Sequence, residues 1–251
     1  MKNRQVPPVL IIGAHRSGTT ATARALELLG LQLGEHLDSH REPRNLQKLH
    51  EKYLRQLGGA WYNPKPFLDQ VQNDEGQRAC EDYLRQNVDA AFARIFGYRK
   101  NPKGLWLLAR LKSGGLWGWK EPRTTLFAPA WLKIFPGARV LHVMRDPLAA
   151  ARSIRERELE FQAAGDPPSG KLDDLNYCLE LVRIYFTAGE RVSGLANYRR
   201  VRFEDIQAHP AETLKDLATF CGLQFGSQQL AAAAATIRPG QMKPAYQQPV
   251  I

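Results

Sequence analysis

The alternation of apolar and polar positions predicts strands and helices that follow one another along the chain. Short, mostly apolar runs predict strands at 9–12, 116–119 and 139–144, and a further strand is predicted at 198–203. Longer segments with apolar residues at helical spacing separate these runs, and they predict helices at 19–29, 45–57, 76–96, 125–135, 147–160, 173–194, 210–223 and 227–235. Strands that alternate with helices favour an α/β fold, in which helices cover both faces of a mostly parallel central sheet.

The segments between these elements are polar or rich in glycine and proline. Residues 31–44 predict an irregular polar connection, 61–66 a loop, 97–104 a linker and 166–170 a break between two helices. No internal repeat is visible in the sequence. A length of 251 residues suits one α/β domain, so residues 1–251 are interpreted as a single domain.

The first predicted strand leads into a glycine-containing loop and then into a helix. Backbone N–H groups of such a loop, together with the helix N-terminus, favour an anion. The spacing of Gly13 and Gly18 fits the nucleotide loop G-x-x-x-x-G-K-[ST], but Thr19 stands where that loop requires lysine. The cation of the loop is Arg16 instead. The loop therefore predicts an anion site that differs from a magnesium–triphosphate site.

A second candidate anion site follows the strand at 139–144. Arg145 comes directly after this strand, at the carboxyl end, where open α/β sheets bind ligands. Pro147 suits the first turn of the next helix, and Ser153 lies about two turns into that helix. A guanidinium and a hydroxyl placed in this way can converge on one phosphate.

Both motifs resemble those of the sulfotransferases that use 3′-phosphoadenosine-5′-phosphosulfate (PAPS). The run from Arg16 to Thr20 resembles the 5′-phosphosulfate loop of that family, and Arg145 with Ser153 resembles its 3′-phosphate motif. Residues 118–123 are similar to its Lys-Asp-Pro-Arg segment, with glutamate in place of aspartate. Residues 201–205 are similar to the start of its Tyr-Glu-Asp-Leu segment, with phenylalanine in place of tyrosine.

The resemblance runs from residue 9 to about residue 223 and is thin between residues 45 and 115. It implies PAPS as the sulfuryl donor and 3′,5′-adenosine bisphosphate (PAP) as the product. It also implies a set of donor-binding residues: Arg16, Ser17, Gly18, Thr19, Thr20, Arg145 and Ser153. The family closes on the 3′-phosphate with an Arg-Lys-Gly segment, for which this chain has only Arg238-Pro-Gly240, so Arg238 is the expected counterpart. No metal is required in principle.

The resemblance also suggests which residues perform the chemistry. Arg16 is placed beside the phosphosulfate by its loop, and Lys120 follows the strand 116–119, where the matching lysine of some relatives polarises the sulfuryl group. Sulfotransferases take the acceptor proton with either histidine or glutamate. Glu42, ahead of a predicted helix, is the first candidate for this base, and His40 is the second. A salt bridge from Lys120 to Glu121 is the structural alternative for the lysine.

Composition adds the class of partner and the compartment. The net charge of +10 suits an anionic cofactor, and the scattered basic residues with no aromatic platform motif do not predict nucleic-acid binding. Three widely spaced cysteines form neither a disulfide framework nor a zinc motif, which favours a reducing cytoplasm. Residues 1–8 carry charges and two prolines instead of an apolar core, and no apolar run reaches the roughly 18 residues of a membrane span.

Two other functions remain open from the sequence. A P-loop kinase or NTPase is favoured by the Gly13–Gly18 spacing and by Asp146 after a strand, and disfavoured by Thr19. A non-catalytic nucleotide-binding or nucleic-acid-binding protein is the other. The acceptor is a small molecule, glycan, lipid or peptide, and the sequence does not determine the oligomeric state. Five aromatic residues are candidates for the floor of the acceptor pocket, although core packing is the commoner role of such residues: Trp61, Tyr62, Phe67, Trp117 and Trp119. His15 is expected to contact phosphate or to pack within the loop, and His142 to be a buried structural residue.

Overall fold

A computed structural model describes residues 6–34, 37–95 and 115–237, with only the backbone described for residues 89–95. In chain order its elements are β1 (Val9–Ile12), α1 (Thr19–Leu28), α2 (Arg44–Gln56), α3 (Lys65–Gln70), α4 (Asp74–Ile95), β2 (Gly118–Lys120), α5 (Thr124–Ile134), β3 (Arg139–Met144), α6 (Pro147–Ala163), α7 (Leu175–Glu190), β4 (Tyr198–Arg202), α8 (Phe203–Ala208), α9 (Pro210–Cys221) and α10 (Ser227–Ala235).

The four strands form one parallel sheet in the order β2-β1-β3-β4. Val9 of β1 pairs in register with Gly118 on one side and with Arg139 on the other. Because all four strands run the same way, their carboxyl ends meet at one edge of the sheet. The prediction of an α/β fold with a parallel sheet is confirmed, and the motifs that follow β1, β2 and β3 are brought to this common edge.

Helices cover both faces of the sheet. All four residues of β1 are fully buried, and successive side chains point to opposite faces. Leu10 and Ile12 join a core with helices α2, α4, α5 and α7, in which Trp119, Trp131 and Tyr185 are the largest fully buried side chains. Val9 and Ile11 join a second core with α1, α9 and α10. This burial on both faces explains why β1 is an uninterrupted apolar run.

Three boundaries differ from the sequence prediction in ways that affect the site. Lys120 is the last residue of β2, paired with Ile11, instead of the first residue after that strand. Strand β4 ends at Arg202, because Phe203 already begins the short helix α8. The predicted loop at 61–66 ends at residue 64, because helix α3 begins at Lys65; its first turn contains a proline, at a position that tolerates the missing N–H.

The remaining helices occur near their predicted positions. Helix α6 continues to Ala163, and α7 begins at Leu175 because the Asp174 carboxylate caps it by accepting hydrogen bonds from two backbone N–H groups. The predicted linker at 97–104 lies outside the described residues. In the described ranges, no helix has both the length and the apolar character of a membrane span.

Candidate active site

The loop after β1 has the backbone geometry of an anion cradle. Gly18, the residue before helix α1, has a left-handed backbone with a φ of 93°. A Cβ atom at this position would lie 2.3 Å from two ring carbons of Phe203, so no side chain fits. Arg16 is also left-handed, with a φ of 65°, and its side chain is exposed. The loop therefore presents Arg16 to solvent at the N-terminus of α1, where anions are favoured.

Buried hydroxyl groups fix the shape of this loop. The Thr125 hydroxyl accepts a hydrogen bond from Gly13 N (2.9 Å) and donates one to Gly13 O (3.0 Å). The Ser17 hydroxyl donates to Ala14 O at 2.7 Å, and Ser17 is fully buried. Ser17 is thus engaged within the loop itself, whereas Thr19 and Thr20 line the adjoining cleft. The sequence motifs did not indicate Thr125, because its partner lies 112 residues away.

The two predicted anion motifs meet at Arg16. The Arg16 Nε donates a hydrogen bond to Ser153 Oγ at 2.9 Å, and Arg145 Nη1 donates to the Arg16 carbonyl oxygen at 3.1 Å. These contacts span 137 and 129 residues, and they arise because β1 and β3 are neighbours in the sheet. The sequence placed Arg145 and Ser153 in one subsite and Arg16 in another; in the structure the three residues are contiguous.

Lys120 and Glu42 form a buried ion pair next to this cluster. Lys120 Nζ lies 2.7 Å from Glu42 Oε1 and donates a second hydrogen bond, of 3.1 Å, to Thr20 Oγ1. The Lys120 side chain is only 1% exposed. The structural alternative, a salt bridge from Lys120 to Glu121, does not form; Glu121 binds other partners.

Burial changes the proton affinities of this pair in opposite directions. Desolvation raises the pKa of Glu42 above its ordinary value, while the nearby Lys120 charge opposes the rise. Desolvation lowers the pKa of Lys120, and Glu42 limits that fall. Each residue therefore holds the other in its charged form, and Glu42 remains a stronger base than a solvated glutamate.

Gln47 orients Glu42 from the first turn of α2. Its side-chain Nε2 donates to Glu42 Oε2 at 2.7 Å and to Asp38 Oδ2 at 2.8 Å. The other Asp38 oxygen accepts hydrogen bonds from the backbone N–H groups of His40 (2.8 Å) and Glu42 (2.9 Å). Burial acts to raise the pKa of Asp38, but these hydrogen bonds lower it overall. Sequence reasoning missed Gln47, although its place in the helix directly after the acidic segment was the available signal.

His40, the second candidate for the base, also lines the cleft. It is half-buried, and its backbone carbonyl accepts a hydrogen bond of 3.3 Å from Thr20 Oγ1. Burial lowers the pKa of His40, and the charge of Arg157 lowers it further. His40 is consequently a neutral imidazole near pH 7.

A buried network holds the segment that carries Lys120. The Trp131 indole N–H donates to His50 Nε2 at 3.0 Å. An indole nitrogen only donates, so His50 carries its proton on Nδ1 and donates it to Glu121 Oε2 at 2.6 Å. Arg123 pairs with Glu121 at 2.5 Å and with Glu51 at 3.0 Å. Although burial acts to raise the pKa of Glu121, Arg123 and His50 hold it well below the ordinary range.

One cleft of about 1620 Å³, at the carboxyl edge of the sheet, is lined by the main candidate residues: Arg16, Glu42, Lys120, Arg145 and Ser153. Trp61 is the one of the five candidate pocket aromatics that lines this cleft, and His15 packs on it with ring centroids 4.2 Å apart. Phe67, Trp117 and Trp119 belong to the core instead. Tyr62 packs against that core as well.

The other predicted residues have structural places. His142 is fully buried, as predicted, and its Nδ1 lies 2.7 Å from the Tyr198 hydroxyl. The Asp146 carboxylate caps helix α6 by accepting a hydrogen bond of 2.7 Å from Ala149 N. Arg238 lies outside the described residues, so its predicted contact stays a prediction.

The fold is similar to that of solved sulfotransferases. The sulfotransferase domain of the Synechococcus PCC 7002 olefin synthase is 18% identical, with a TM-score of 0.50 over 97% of this chain and 83% of that domain. Sulfotransferase STF9 from Mycobacterium avium is 19% identical, with a TM-score of 0.52 over 92% of this chain and 67% of that protein. A mouse sulfotransferase complexed with PAP is 12% identical, with a TM-score of 0.50 over 92% of this chain and 63% of that protein.

No curated protein sequence is significantly similar to the chain. A family-level comparison is more sensitive, and residues 7–227 match the sequence profile of the Sulfotransferase family. This range contains every element from β1 to α9, together with Arg16, Glu42, Lys120, Arg145 and Ser153. The chain therefore belongs to the sulfotransferase family.

Proposed function

We propose that the protein transfers the sulfuryl group of PAPS to an acceptor hydroxyl or amine, with Glu42 as the base. The observation that carries this proposal is the buried Lys120–Glu42 pair, 2.7 Å long, on the wall of the cleft that Arg16 and Arg145 also line. The pair places a base and a cation side by side next to an anion-binding loop. The PAP complex of the mouse relative is consistent with the proposed donor.

The residues around the loop fit a ligand with two phosphate groups. Arg145 donates to the carbonyl oxygen of Arg16, so two guanidinium-bearing residues are held together at the N-terminus of α1. Two such cations beside a helix N-terminus favour an anionic ligand. Thr19 and Thr20 also line the cleft at the start of α1. PAPS supplies the sulfuryl group; Arg16, Thr19 and Thr20 are proposed to hold its 5′ end, and Arg145 with Ser153 its 3′-phosphate.

Glu42 is proposed to accept the proton of the acceptor. Lys120 occupies one carboxylate oxygen and Gln47 the other, but each oxygen retains a further lone pair. Desolvation raises the pKa of Glu42, which strengthens it as a base. The Lys120 ammonium compensates negative charge that develops beside it, and the low local dielectric enhances this effect.

The kinase alternative has less support from the geometry. Thr19 is 3% exposed where such a loop needs a long cationic side chain, and Asp146 is engaged as a helix cap. Neither residue offers the lysine or the metal-binding carboxylate of a magnesium-dependent nucleotide site.

Ligand-dependent stability separates these functions. PAP at one hundred times its dissociation constant is expected to stabilise the protein by roughly 2.7 kcal/mol without magnesium. Labelled PAPS, incubated with the protein and a metabolite extract, is expected to yield a sulfated product that mass spectrometry identifies. Equal or greater stabilisation by ATP with magnesium, without any sulfated product, would support the kinase and exclude the sulfotransferase.

A further inference from the structure

Arg157 is a cation of the cleft that the proposed chemistry does not use. It lies on α6, four residues after Ser153, and both residues line the same cleft. Residues four apart share one face of a helix and are separated by about 6 Å along its axis. Arg157 is therefore one turn away from the hydroxyl that binds Arg16, in the direction that leads away from the sheet edge.

The guanidinium of Arg157 is held in place without a counter-charge from the described part of the chain. Its central carbon lies 5.0 Å from the centroid of the Phe161 ring, in a cation–π contact. Among the residues that the structure describes, none forms an ion pair or a hydrogen bond with Arg157. The adjacent Glu158 is engaged elsewhere, since its Oε1 accepts hydrogen bonds from Ser169 N (2.6 Å) and Gln162 Nε2 (3.1 Å).

The groups that face Arg157 from other elements do not neutralise it. Burial, followed by the charge of Arg157, lowers the pKa of His40. Burial is also the main cause of a strongly lowered pKa for His15, to which Arg157 contributes. Both imidazoles line the cleft and are neutral near pH 7. Arg157 thus lies on the side of the cleft that holds His15, His40 and Trp61.

We propose that Arg157 binds an oxyanion of the acceptor, so that the enzyme sulfates a hydroxyl or amino compound that also carries a carboxylate or a phosphate. The fork of N–H donors of a guanidinium matches either group. Phe161 limits the freedom of the side chain, which reduces the entropy lost on binding. The proposal rests on the sulfotransferase function and adds to it the chemical class of the acceptor.

The test compares each acceptor with its neutral form. Labelled PAPS is supplied with a metabolite extract, and in parallel with the same extract after methylation of its carboxylates and phosphates. The product of the wild-type enzyme is expected to contain a carboxylate or phosphate besides the new sulfate. The methyl ester of the acceptor is expected to react about tenfold to hundredfold less efficiently than the acceptor itself. The mass and fragmentation of the product distinguish a carboxylate from a phosphate.

Substitution of Arg157 tests the residue itself. Arg157→Gln is expected to raise KM for the anionic acceptor by about tenfold to hundredfold, leave KM for the methyl ester unchanged, and leave PAP binding unchanged. Arg155→Gln is the matched control, because Arg155 lies on the same helix, is exposed, and donates to Asp173 O at 2.8 Å outside the cleft. It is expected to behave as wild type.

The outcomes separate the two proposals. A product that carries no carboxylate or phosphate overturns the role of Arg157 and leaves the sulfotransferase function intact. An anionic acceptor whose KM does not change in Arg157→Gln has the same consequence. Weakened PAP binding in Arg157→Gln would make Arg157 a donor contact and also overturns the inference. The absence of any sulfated product from either extract overturns the proposed function, and the acceptor class falls with it.

Discussion

The ammonium of Lys120 lies 2.7 Å from the carboxylate of Glu42, in a pair that is almost completely removed from water. Neither charge would be stable alone at this depth, because desolvation opposes the ionised form of each. The pair therefore survives only as a unit, and a change to one partner alters the charge state of the other.

Glu42→Gln tests the proposed base. The amide is nearly isosteric but not basic, so turnover is expected to fall by roughly 10²–10⁴ while PAP binding barely changes. Loss of the carboxylate also leaves Lys120 without its counter-charge, so thermal unfolding must be measured alongside activity. His40→Gln is the control at the competing candidate. Near-normal turnover in Glu42→Gln, with a large loss in His40→Gln, would transfer the role of base to His40.

Gln47→Leu tests whether Gln47 positions the base. Its amide stabilises the charged carboxylate of Glu42, so its removal is expected to raise the pKa of Glu42 further. The acidic limb of the pH–turnover profile should therefore move to higher pH, and turnover at pH 7 should fall. Gln47→Asn shortens the side chain but keeps the amide, and it should restore part of the activity. An unshifted profile with only lowered thermal stability would reduce Gln47 to a structural role.

Arg145→Ala and Arg16→Ala are expected to give different selectivity. Arg145→Ala should weaken PAP binding by about 1.5–3 kcal/mol, the scale of a hydrogen bond to a charged group, with little effect on adenosine 5′-phosphosulfate, which lacks the 3′-phosphate. Arg16→Ala should weaken both ligands. Calorimetric titration of each ligand into each variant measures the difference. Equal losses for both ligands in Arg145→Ala would mean that its bond to the Arg16 carbonyl shapes the whole loop.

The buried His142 predicts that stability falls in acid. Burial lowers the pKa of His142 from 6.5 to about 4, so below pH 6.5 the unfolded chain binds a proton that the folded protein does not. Proton binding lowers the free energy of the unfolded state. The stability contributed at neutral pH is therefore lost progressively as the pH falls from about 6.5 to 4, by roughly 2 kcal/mol at pH 5 relative to pH 8.

His142→Leu should flatten this part of the stability curve, because it removes the titrating group while the Tyr198 hydroxyl keeps its 3.1 Å contact with Glu190. His209→Gln, at an exposed position, is the control and should leave the curve unchanged. Chemical denaturation between pH 5 and pH 8 measures the effect. A curve that stays equally steep in His142→Leu would assign the acid sensitivity to other groups.

Local sequence patterns were sufficient to predict the sheet and most of its helices. Strand β1 is apolar throughout because both of its faces are buried, and the glycines of the next loop indicate the tight turn into α1. Helix α3 was missed because prolines within an aromatic segment suggest a loop, although a proline in the first turn is compatible with a helix.

The contacts of the site are less predictable because they join distant parts of the chain. The sequence identified Lys120 and Glu42 as separate candidates, but only the pairing of β2 with β1 brings the lysine under the segment 38–42. The contact of Lys120 with Glu121 was a plausible local pair. Neighbouring residues at a strand end point in different directions, and Glu121 turns instead towards His50 and Arg123.

The contact between Gly18 and Phe203 links the residue choice at the two positions. The Phe203 ring, at the first residue of α8, fills the volume that a side chain at position 18 would need. A smaller residue at 203 would remove the clash but not the left-handed backbone at Gly18, whose φ is 93°. Glycine at position 18 is therefore required twice over, once by its backbone and once by the Phe203 ring, and a change at 203 alone cannot relax that requirement.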